Sequence, residues 1–356
     1  MSRLPFIKDI CNVMEGHAMI LPHDHILVAL SGGPDSVAML GVFLHIRQML
    51  DLKLGIAHIN HCLRGDEADG DEAFVRELAF IHKLPCHISR TDVPALAKSR
   101  GLSFEEAARQ VRYAFYGNLS RDYGYCRIAL GHNSDDNAEQ VLMNLLRGTG
   151  TKGLAGIPPT RLLKMDNLKG PTIIRPLIQT SRKEIMDWLE QQGQPFMVDS
   201  SNSDTSYLRN RVRLHLIPYL QREYNPSVSE ALNQLSRILI DEESWMEGEA
   251  EKLFKRHATL TTSGGDVIQV SFPRSVFATM LTALSRRLVR RAILAVKGDL
   301  KRVAMVHVEA ILKLIPAPTG GTSLDLPGRI RMTRDIHRVY FRKESVPLRQ
   351  LNSPVS

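Results

Sequence analysis

The sequence has few cysteines and no long hydrophobic run. Its four cysteines, Cys11, Cys62, Cys86 and Cys126, are scattered and form no Cys-x-x-Cys pair, so neither a disulfide framework nor a cysteine metal site is indicated. No apolar run approaches the roughly 20 residues of a membrane span, and the first residues contain no signal-peptide core. These absences exclude the disulfide-rich secreted and the membrane-spanning classes, and we expect a cytoplasmic protein with no membrane partner.

Acidic residues are scarce only in the last part of the chain. Residues 271–356 hold 16 Lys and Arg against 5 Asp and Glu, while the whole chain of 356 residues has a net charge of +8. The part before residue 271 is therefore nearly neutral. This asymmetry predicts chemistry in the first part and polyanion binding in the second, although a solvated basic surface without a partner fits the count equally well.

One stretch near the amino end organises the chain. Residues 26–30 form a short apolar run, typical of a strand buried on both faces, and an apolar helical pattern begins after residue 36. Between them lie Ser31, Gly32, Gly33, Pro34, Asp35 and Ser36. Glycines let the backbone approach a ligand, and the start of a helix favours an anion. The stretch therefore predicts a phosphate site with Asp35 near a phosphate-bound magnesium ion, and the alternative is an ordinary Gly-Pro turn.

Strands and helices alternate through the first part of the chain. Further strands are predicted at 52–57, 86–89, 127–130 and 172–174, and helices at 72–82, 103–119, 135–146 and 182–192. This order predicts an α/β fold with a doubly wound parallel sheet, in which ligands lie at the carboxyl ends of the strands. The segments at 31–36, 58–64 and 131–136 should then share one crevice.

The pattern becomes mainly helical from residue 214. Helices are predicted at 227–255, 276–295 and 303–315, followed by a hairpin or small sheet at 323–341. We therefore expect a first domain at 1–213, a mainly helical second domain with a small β element at 214–345, and a disordered tail at 346–356.

Two groups of polar residues belong to the predicted crevice. His58, His61 and Arg64 follow the second strand; they lack a third ligand at zinc spacing, so hydrogen bonding to a phosphate or base fits better, alongside a structural role for one histidine. Asp136 and Glu139 share one face of a helical turn and suit magnesium or a substrate amine. Ser134 or Asp135 is expected to cap that helix.

Two arginine pairs have helical spacing. Arg109 and Arg112 lie three residues apart, and Arg209 and Arg213 lie four apart. Such pairs suit the phosphates of ATP or of a nucleic-acid backbone, and they are also common on solvent-facing helices.

These motifs occur together in one order. The series is Ser31-Gly-Gly-Pro-Asp-Ser36, His58-x-x-His61-x-Leu-Arg64, Glu106-x-x-Arg109-x-x-Arg112-Tyr113, Gly131-His132-x-x-Asp135-Asp136-x-x-Glu139, Leu146-Arg-Gly-Thr-Gly150-x-x-Gly153-Leu and Arg209-Asn210-x-x-Arg213. The first motif resembles the pyrophosphate loop of the ATP pyrophosphatases (PP-loop enzymes). The ordered set resembles the tRNA(Ile)-lysidine synthetase family, over roughly residues 24–215 and more loosely to about 342.

The resemblance implies an ATP-dependent ligase that adenylates the wobble cytidine of a CAU-anticodon tRNA(Ile) and then joins free lysine to it, releasing pyrophosphate and AMP. It implies ATP and Mg²⁺ as cofactors, tRNA(Ile) and L-lysine as partners, and a homodimer as one candidate assembly. By residue, it implies ATP binding by Ser31, Gly32, Gly33, Pro34, Asp35, Ser36, His58 and Arg64; catalysis by Asp35, Asp136 and Arg112; substrate binding by His132, Asp136, Glu139, Arg209 and Arg213; and magnesium binding by Asp35 and Asp136.

The sequence departs from the family pattern in two places. Members often have a second histidine where this chain has Asn133, and longer members carry a further C-terminal domain for which we find no counterpart. Three alternatives remain at this point: a tRNA-thiolating enzyme with the same loop, a small-molecule amide-forming synthetase, and a non-catalytic RNA-binding module. A thiolating enzyme would need catalytic or cluster-binding cysteines, and a small-molecule synthetase would not need the basic C-terminal region.

Overall fold

The computed structural model describes residues 3–63, 65–165, 170–198, 204–317 and 322–344. The chain divides into two compact units, Met1–Ile240 and Asp241–Ser356. The predicted domains, a catalytic one at 1–213 and a tRNA-binding one at 214–345, stay a prediction. Arg64 and the predicted tail at 346–356 lie outside the described residues.

The first unit is an α/β structure. Its strands are β1 (His25–Ala29), β2 (Lys53–Asn60), β3 (Cys86–Arg90), β4 (Arg127–Ala129), β5 (Thr160–Leu162) and β6 (Thr172–Ile174). Its helices are α1 (Arg3–Gly16), α2 (Pro34–Ile46), α3 (Asp66–Ile81), α4 (Val93–Arg100), α5 (Phe104–Tyr123), α6 (Ser134–Leu146), α7 (Thr151–Leu154), α8 (Arg182–Gln192), α9 (Leu208–Arg211) and α10 (Ile217–Glu223), with a π-helical turn at Val212–Leu216. The predicted fold class is confirmed.

The described strands of this unit form one sheet in the order β3-β2-β1-β4-β6-β5. All pairs are parallel except β5 with β6, and β5 was not predicted from the sequence. The central residues of β1, Ile26, Leu27 and Val28, are fully buried, as expected for a strand covered on both faces. After β1 the chain adds β2 and β3 on one side of it, and then β4 and β6 on the other side. The carboxyl ends of β1 and β4 are therefore the topological switch point, where ligands bind in such sheets.

Helix α6 begins with a cap that differs from the expected one. Asn133, and not Ser134 or Asp135, is the capping residue, because its backbone is still extended at a φ of −112° and ψ of −178° while Ser134 is already helical. The Asn133 side chain accepts a hydrogen bond from the Asp136 amide at 2.9 Å, and the Asp136 carboxylate accepts one from the Asn133 amide at 3.0 Å. Asp136 thus has a structural use in addition to any functional one.

The boundary between the units lies inside helix α11 (Val228–His257), which is a single continuous helix. The second unit continues with helices α12 (Arg274–Thr279), α13 (Thr282–Lys297) and α14 (Met305–Leu314), and with strands β7 (Thr259–Ser263), β8 (Asp266–Pro273), β9 (Ser323–Leu326), β10 (Ile330–Arg334) and β11 (Arg338–Lys343). These strands form an antiparallel sheet in the order β7-β8-β11-β10-β9, and one face packs on α13 and α14 through a core that includes Val270, Phe272 and Phe341. The hairpin of β7 and β8, which the sequence analysis missed, turns at Gly264 and Gly265, both with positive φ.

Among the described helices, none combines the length and the apolar character that crossing a bilayer requires.

Two glycine substitutions test this packing in opposite directions. A Cβ at Gly55 in β2 would lie 2.0 Å from the buried Tyr125 hydroxyl oxygen, whereas a Cβ at Gly70 in α3 meets no atom within 4 Å. We expect Gly55→Ala to lower the free energy of unfolding by about 1–3 kcal/mol through overpacking. We expect Gly70→Ala to raise it by about 0.5–1 kcal/mol, because alanine loses less backbone entropy in a helix. Urea unfolding measures both, and equal effects would contradict the packing described for β2.

Candidate active site

A cavity of about 580 Å³ lies at the carboxyl ends of β1, β2 and β4. Of the residues singled out from the sequence, those lining it are Ser31, Gly33, Asp35, Ser36, His58, His61, Arg112, His132 and Arg209. The predicted shared crevice is therefore present, and Arg112 of α5 also lines it. The binding and catalytic roles of these residues stay predictions.

The loop after β1 presents backbone amides to this cavity. Gly32 has a φ of +93°, a conformation that favours glycine, and α2 begins at Pro34 without any side-chain cap. The Ser31 and Gly33 amides donate to loop hydroxyls at 3.2 and 3.3 Å. Within the described residues, the amides of Gly32, Asp35 and Ser36 have no protein acceptor. Unbonded amides at the start of a long helix are the arrangement that binds phosphate.

The loop after β4 packs closely on residues 31–36, the loop after β1, which we call the phosphate loop. A Cβ at Gly131 would lie 3.2 Å from the backbone carbonyl carbon of Asp35 and 3.2 Å from the amide nitrogen of Ser36. Only a residue without a side chain fits there comfortably, so the two loops are in direct backbone contact.

His58 supplies a buried acceptor to the same cavity. It lies within β2, which extends to Asn60, and not in the loop that follows, as the sequence analysis had it. Its Nδ1 donates to the Leu30 carbonyl at 2.9 Å, and its buried Nε2 has no hydrogen-bond partner among the described residues. Because Nδ1 carries the proton, the neutral ring can only accept at Nε2. A buried acceptor without a partner beside a phosphate loop fits the amino or hydroxyl groups of a nucleotide.

Asp35 is held by two side chains from other segments. One carboxylate oxygen accepts from the Asn133 side-chain amide at 3.0 Å, and the other accepts from the Arg182 guanidinium at 2.9 Å. Burial raises the pKa of Asp35 above its ordinary value, and Arg182 and Asn133 counteract part of that effect. Arg182 is the first residue of α8, which Ser181 caps together with Glu184.

The starts of α2, α6 and α8 are bonded to one another. The Arg182 amide donates to the Asp135 carboxylate at 2.8 Å, and the Ser134 amide donates to the Thr180 carbonyl at 2.9 Å. The amide of Met197, beyond α8, donates to the Gly32 carbonyl at 2.9 Å. Together with the two bonds to Asp35, these contacts connect three helix N-termini around one side of the cavity.

Asp136, Glu139, Arg209 and Arg213 form one ion-pair cluster. Arg209 contacts Asp136 at 2.8 Å and Glu139 at 2.7 Å, and Arg213 contacts them at 3.1 and 2.5 Å. The Glu139 side chain is 1% exposed, whereas that of Asp136 is 15% exposed. The sequence analysis assigned the carboxylates and the arginines to separate ligands, but the structure shows them bonded to one another.

His132 and Arg175 form a buried pair. His132 lines the cavity, and its Nδ1 accepts a hydrogen bond from Nε of Arg175 at 3.2 Å. Burial lowers the pKa of His132 to about 3, so the ring is neutral near pH 7.

A metal ion would need ligands besides protein side chains here. Within the described ranges, no group of three or more His, Cys, Asp or Glu side chains is arranged to hold one. Mg²⁺ in nucleotide sites is bound by phosphates and one or two carboxylates, so Asp35 fits that donor set. Both oxygens of Asp35 already accept hydrogen bonds from Asn133 and Arg182, so each keeps only its remaining lone pair for an ion. Asp136 fits less well, because two guanidinium groups and the Asn133 backbone amide occupy its carboxylate and it is not among the residues that line the cavity.

The sequence analysis missed three residues of this site. They are Arg175, Arg182 and Asn133, whose side-chain amide donates a hydrogen bond to Asp35. Arg175 and Arg182 belong to no motif that the analysis used. The only signal for Arg182 is the Ser181-x-x-Glu184 pattern of a capping box, which places it at a helix start after a strand.

A family model and two sequence relatives identify the kind of protein that this chain resembles. Residues 6–220 match the PP-loop domain family. The tRNA(Ile)-lysidine synthase of Geobacter sulfurreducens is 37% identical over 335 residues, which cover 94% of this chain and 68% of the relative. The enzyme of the same name from Caldanaerobacter subterraneus is 35% identical over 96% of this chain and 70% of its own.

A solved structure also resembles this chain. The U34-tRNA thiolase NcsA from Methanococcus maripaludis, solved with its 4Fe-4S cluster, aligns with a TM-score of 0.51 and 21% identity. The alignment covers 66% of this chain and 78% of the thiolase. At this identity the likeness shows the fold alone.

A double-mutant cycle tests the ion-pair cluster. The side chains of Arg213 and Glu139 are 29% and 1% exposed, so we expect Arg213→Met and Glu139→Gln to show a coupling of about 1–3 kcal/mol in urea unfolding. The control cycle uses Arg222→Met and Glu223→Gln, whose side chains are 70% and 45% exposed, and should give about 0–1 kcal/mol. Equal couplings would show that the cluster contributes no more than a surface pair.

Proposed function

The chain belongs to the tRNA(Ile)-lysidine synthase family, and we propose that it uses ATP to join free L-lysine to C2 of the wobble cytidine in CAU-anticodon tRNA(Ile). The observation that supports this most directly is the start of α2, which has no side-chain cap. The amides of Asp35 and Ser36, two residues that line the cavity, have no protein acceptor among the described residues, and the buried Nε2 of His58 lies at the same cavity. This is a site for a nucleotide, with a phosphate at the amides.

In the first step, O2 of the cytidine attacks the α-phosphorus of ATP. The bond from that phosphorus to the oxygen bridging to the β-phosphate breaks, and pyrophosphate leaves. The loop amides and the start of α2 hold phosphate oxygens, and Arg112 supplies positive charge from α5. Asp35 would hold Mg²⁺ together with phosphate oxygens, and the ion would supply positive charge for the leaving pyrophosphate. The base must leave the anticodon stack, which is easier in a loop than in a duplex.

In the second step, the lysine ε-nitrogen attacks C2, the bond from C2 to the adenylated oxygen breaks, and AMP leaves. The amine must lose a proton, and a carboxylate accepts it. Asp136 is the more exposed of the two carboxylates in the ion-pair cluster and is bonded to Arg209, which lines the cavity, so in this proposal Asp136 contacts the amine. Glu139 is fully buried and holds Arg209 and Arg213 in place. The amine therefore binds beside a carboxylate whose charge is already partly compensated by two arginines.

Replacing Asp35 tests the nucleotide site. We expect Asp35→Ala to slow pyrophosphate release by about a hundredfold or more while the chain stays folded, because the variant loses the carboxylate at the phosphates. The assay compares pyrophosphate release from ATP with CAU-anticodon tRNA(Ile) and without it, and mass analysis of the tRNA detects the added lysine. Asp51→Ala is the control, since Asp51 pairs with His23 on an exposed surface. A fully active Asp35→Ala variant would remove Asp35 from the mechanism, and release that ignores tRNA would indicate a small-molecule synthetase.

The second unit contacts the tRNA backbone in this proposal. Part of its positive charge is used internally, because Arg287 and Arg291 of α13 pair with Glu243, Glu247 and Glu251 of α11. Other cations are exposed and have no carboxylate partner among the described residues. These are Arg256, Arg302, Lys313, Arg329 and Lys343. They are the groups available to phosphates.

The salt dependence of tRNA binding distinguishes the two kinds of cation. Replacing these five exposed cations together by glutamine should weaken binding and lower the slope of log affinity against log salt by about 2 or more, because fewer counterions are released. Arg287→Gln is the control: it should lower the free energy of unfolding and leave the slope unchanged. Filter binding over a salt series gives the slope, and an unchanged slope in the fivefold variant would place the tRNA contacts elsewhere.

A further inference from the structure

Arg175 is a buried charged residue that the proposed reaction does not yet use. It follows β6 directly, and only 4% of it is exposed. Its NH1 donates to the Pro158 carbonyl at 2.6 Å, and its Nε donates to Nδ1 of His132 at 3.2 Å. A buried guanidinium is costly unless its donors are bonded. A neutral donor in place of Arg175 could also bond the Pro158 carbonyl, so that contact does not explain why an arginine is buried here. The contact with the His132 ring is the one that needs an explanation.

The direction of this hydrogen bond fixes the chemistry of the ring. A guanidinium has only N–H groups and cannot accept, so Nδ1 of His132 must present its lone pair. The neutral ring then carries its proton on Nε2. Among the described residues, no protein group is bonded to that Nε2–H, and the residue lines the cavity. His132 is thus a hydrogen-bond donor toward a ligand.

A second proton on His132 is disfavoured by its surroundings. Burial is the largest cause of its low pKa; Arg175, Arg209 of α9 and Arg112 of α5 act in the same direction, and Asp136 of α6 acts in the opposite one. The ring therefore donates a hydrogen bond without carrying a charge that could pair with a carboxylate. His58 is the opposite case, because its Nδ1–H is bonded to Leu30 and its Nε2 can only accept.

We propose that Arg175 is a positioning residue that holds His132 as the neutral Nε2–H tautomer, so that His132 donates to an oxygen that gains negative charge in the reaction. The oxygen belongs to the phosphoryl group transferred from ATP or to C2 of the base, and this assignment rests on the proposed function. A neutral donor stabilises such an oxygen and keeps its proton, whereas an imidazolium could transfer it. The tautomer itself does not depend on the proposed function and can be measured separately.

Nitrogen NMR of the histidine-labelled chain tests the tautomer. The His132→Gln variant identifies the His132 signals by their loss. We expect His132 to show a protonated Nε2 and an unprotonated Nδ1, with no change between pH 8 and pH 5. A proton on Nδ1, or a doubly protonated ring at pH 7, would overturn the proposal even if no variant of Arg175 folds.

Arg175→Met and Arg175→Lys test the role of the guanidinium. In Arg175→Met we expect a mixture of tautomers, because no guanidinium then donates to Nδ1 of His132, while Arg175→Lys, which keeps a donor and a charge, should restore part of the single tautomer. Arg127→Met is the control, because Arg127 is a largely buried arginine that pairs with Asp24 and is not among the groups that act on His132 or on Arg175. A His132 spectrum unchanged in folded Arg175→Met would show that another group sets the tautomer.

Kinetics separate positioning from a merely structural role. In Arg175→Met the maximal rate of tRNA-dependent pyrophosphate release should fall about tenfold to a hundredfold, with little change in KM for ATP, because only part of the population still presents Nε2–H of His132; Arg175→Lys should recover part of the rate. Loss of rate in proportion to unfolded protein, without recovery in a folded Arg175→Lys, would overturn the positioning role. If the wild-type chain showed the expected tautomer but formed no lysine adduct on tRNA, the proposed function would fail and the assignment of the tautomer would stand.

Discussion

The start of α2 leaves backbone amides without a protein acceptor, and the site in the first unit depends on this feature. Within the described residues, the amides of Gly32, Asp35 and Ser36 remain unbonded because Gly32 adopts a positive φ and no side chain caps the helix. Capping side chains, water or ligands satisfy such donors at helix starts. Here they have no protein acceptor among the described residues, and the strand order places them at the switch point of the sheet, which supports the anion site proposed above.

Charge around this loop is balanced by pairing within the protein. Asp35 contacts Arg182, and Asp136 and Glu139 share Arg209 and Arg213. The carboxylates and guanidinium groups near the cavity are therefore already paired with one another when a ligand binds. Such pairs keep the repulsion among like charges around the cavity low in the unliganded chain.

The sequence allowed the location of the site to be predicted, but not the contacts inside it. The buried run at 26–30, the glycine turn and the polar residues after each strand predicted one crevice, since strand ends of a parallel sheet meet at one edge. The contacts of Arg182 with Asp35 and of Arg175 with His132 join segments far apart in sequence, and no local spacing encodes them. Part of the charge excess at 271–356 is compensated by residues outside that range, because glutamates of α11 pair with arginines of α13, and the count along the sequence could not show this pairing. The hairpin of β7 and β8 could have been predicted from its Gly-Gly turn.

The bonds that join the starts of α2, α6 and α8 have a thermodynamic consequence. They connect the phosphate loop to Asn133, Arg182 and Met197, and Gly131 allows the loop backbones to touch. The segments around the nucleotide are thus ordered when the chain folds, so their conformational entropy is already lost before a ligand enters. The free energy of ATP binding then reflects mainly the contacts made with the ligand, because little conformational entropy of the surrounding loops remains to be lost. Strain introduced in one of these loops is transmitted to the other two helix starts.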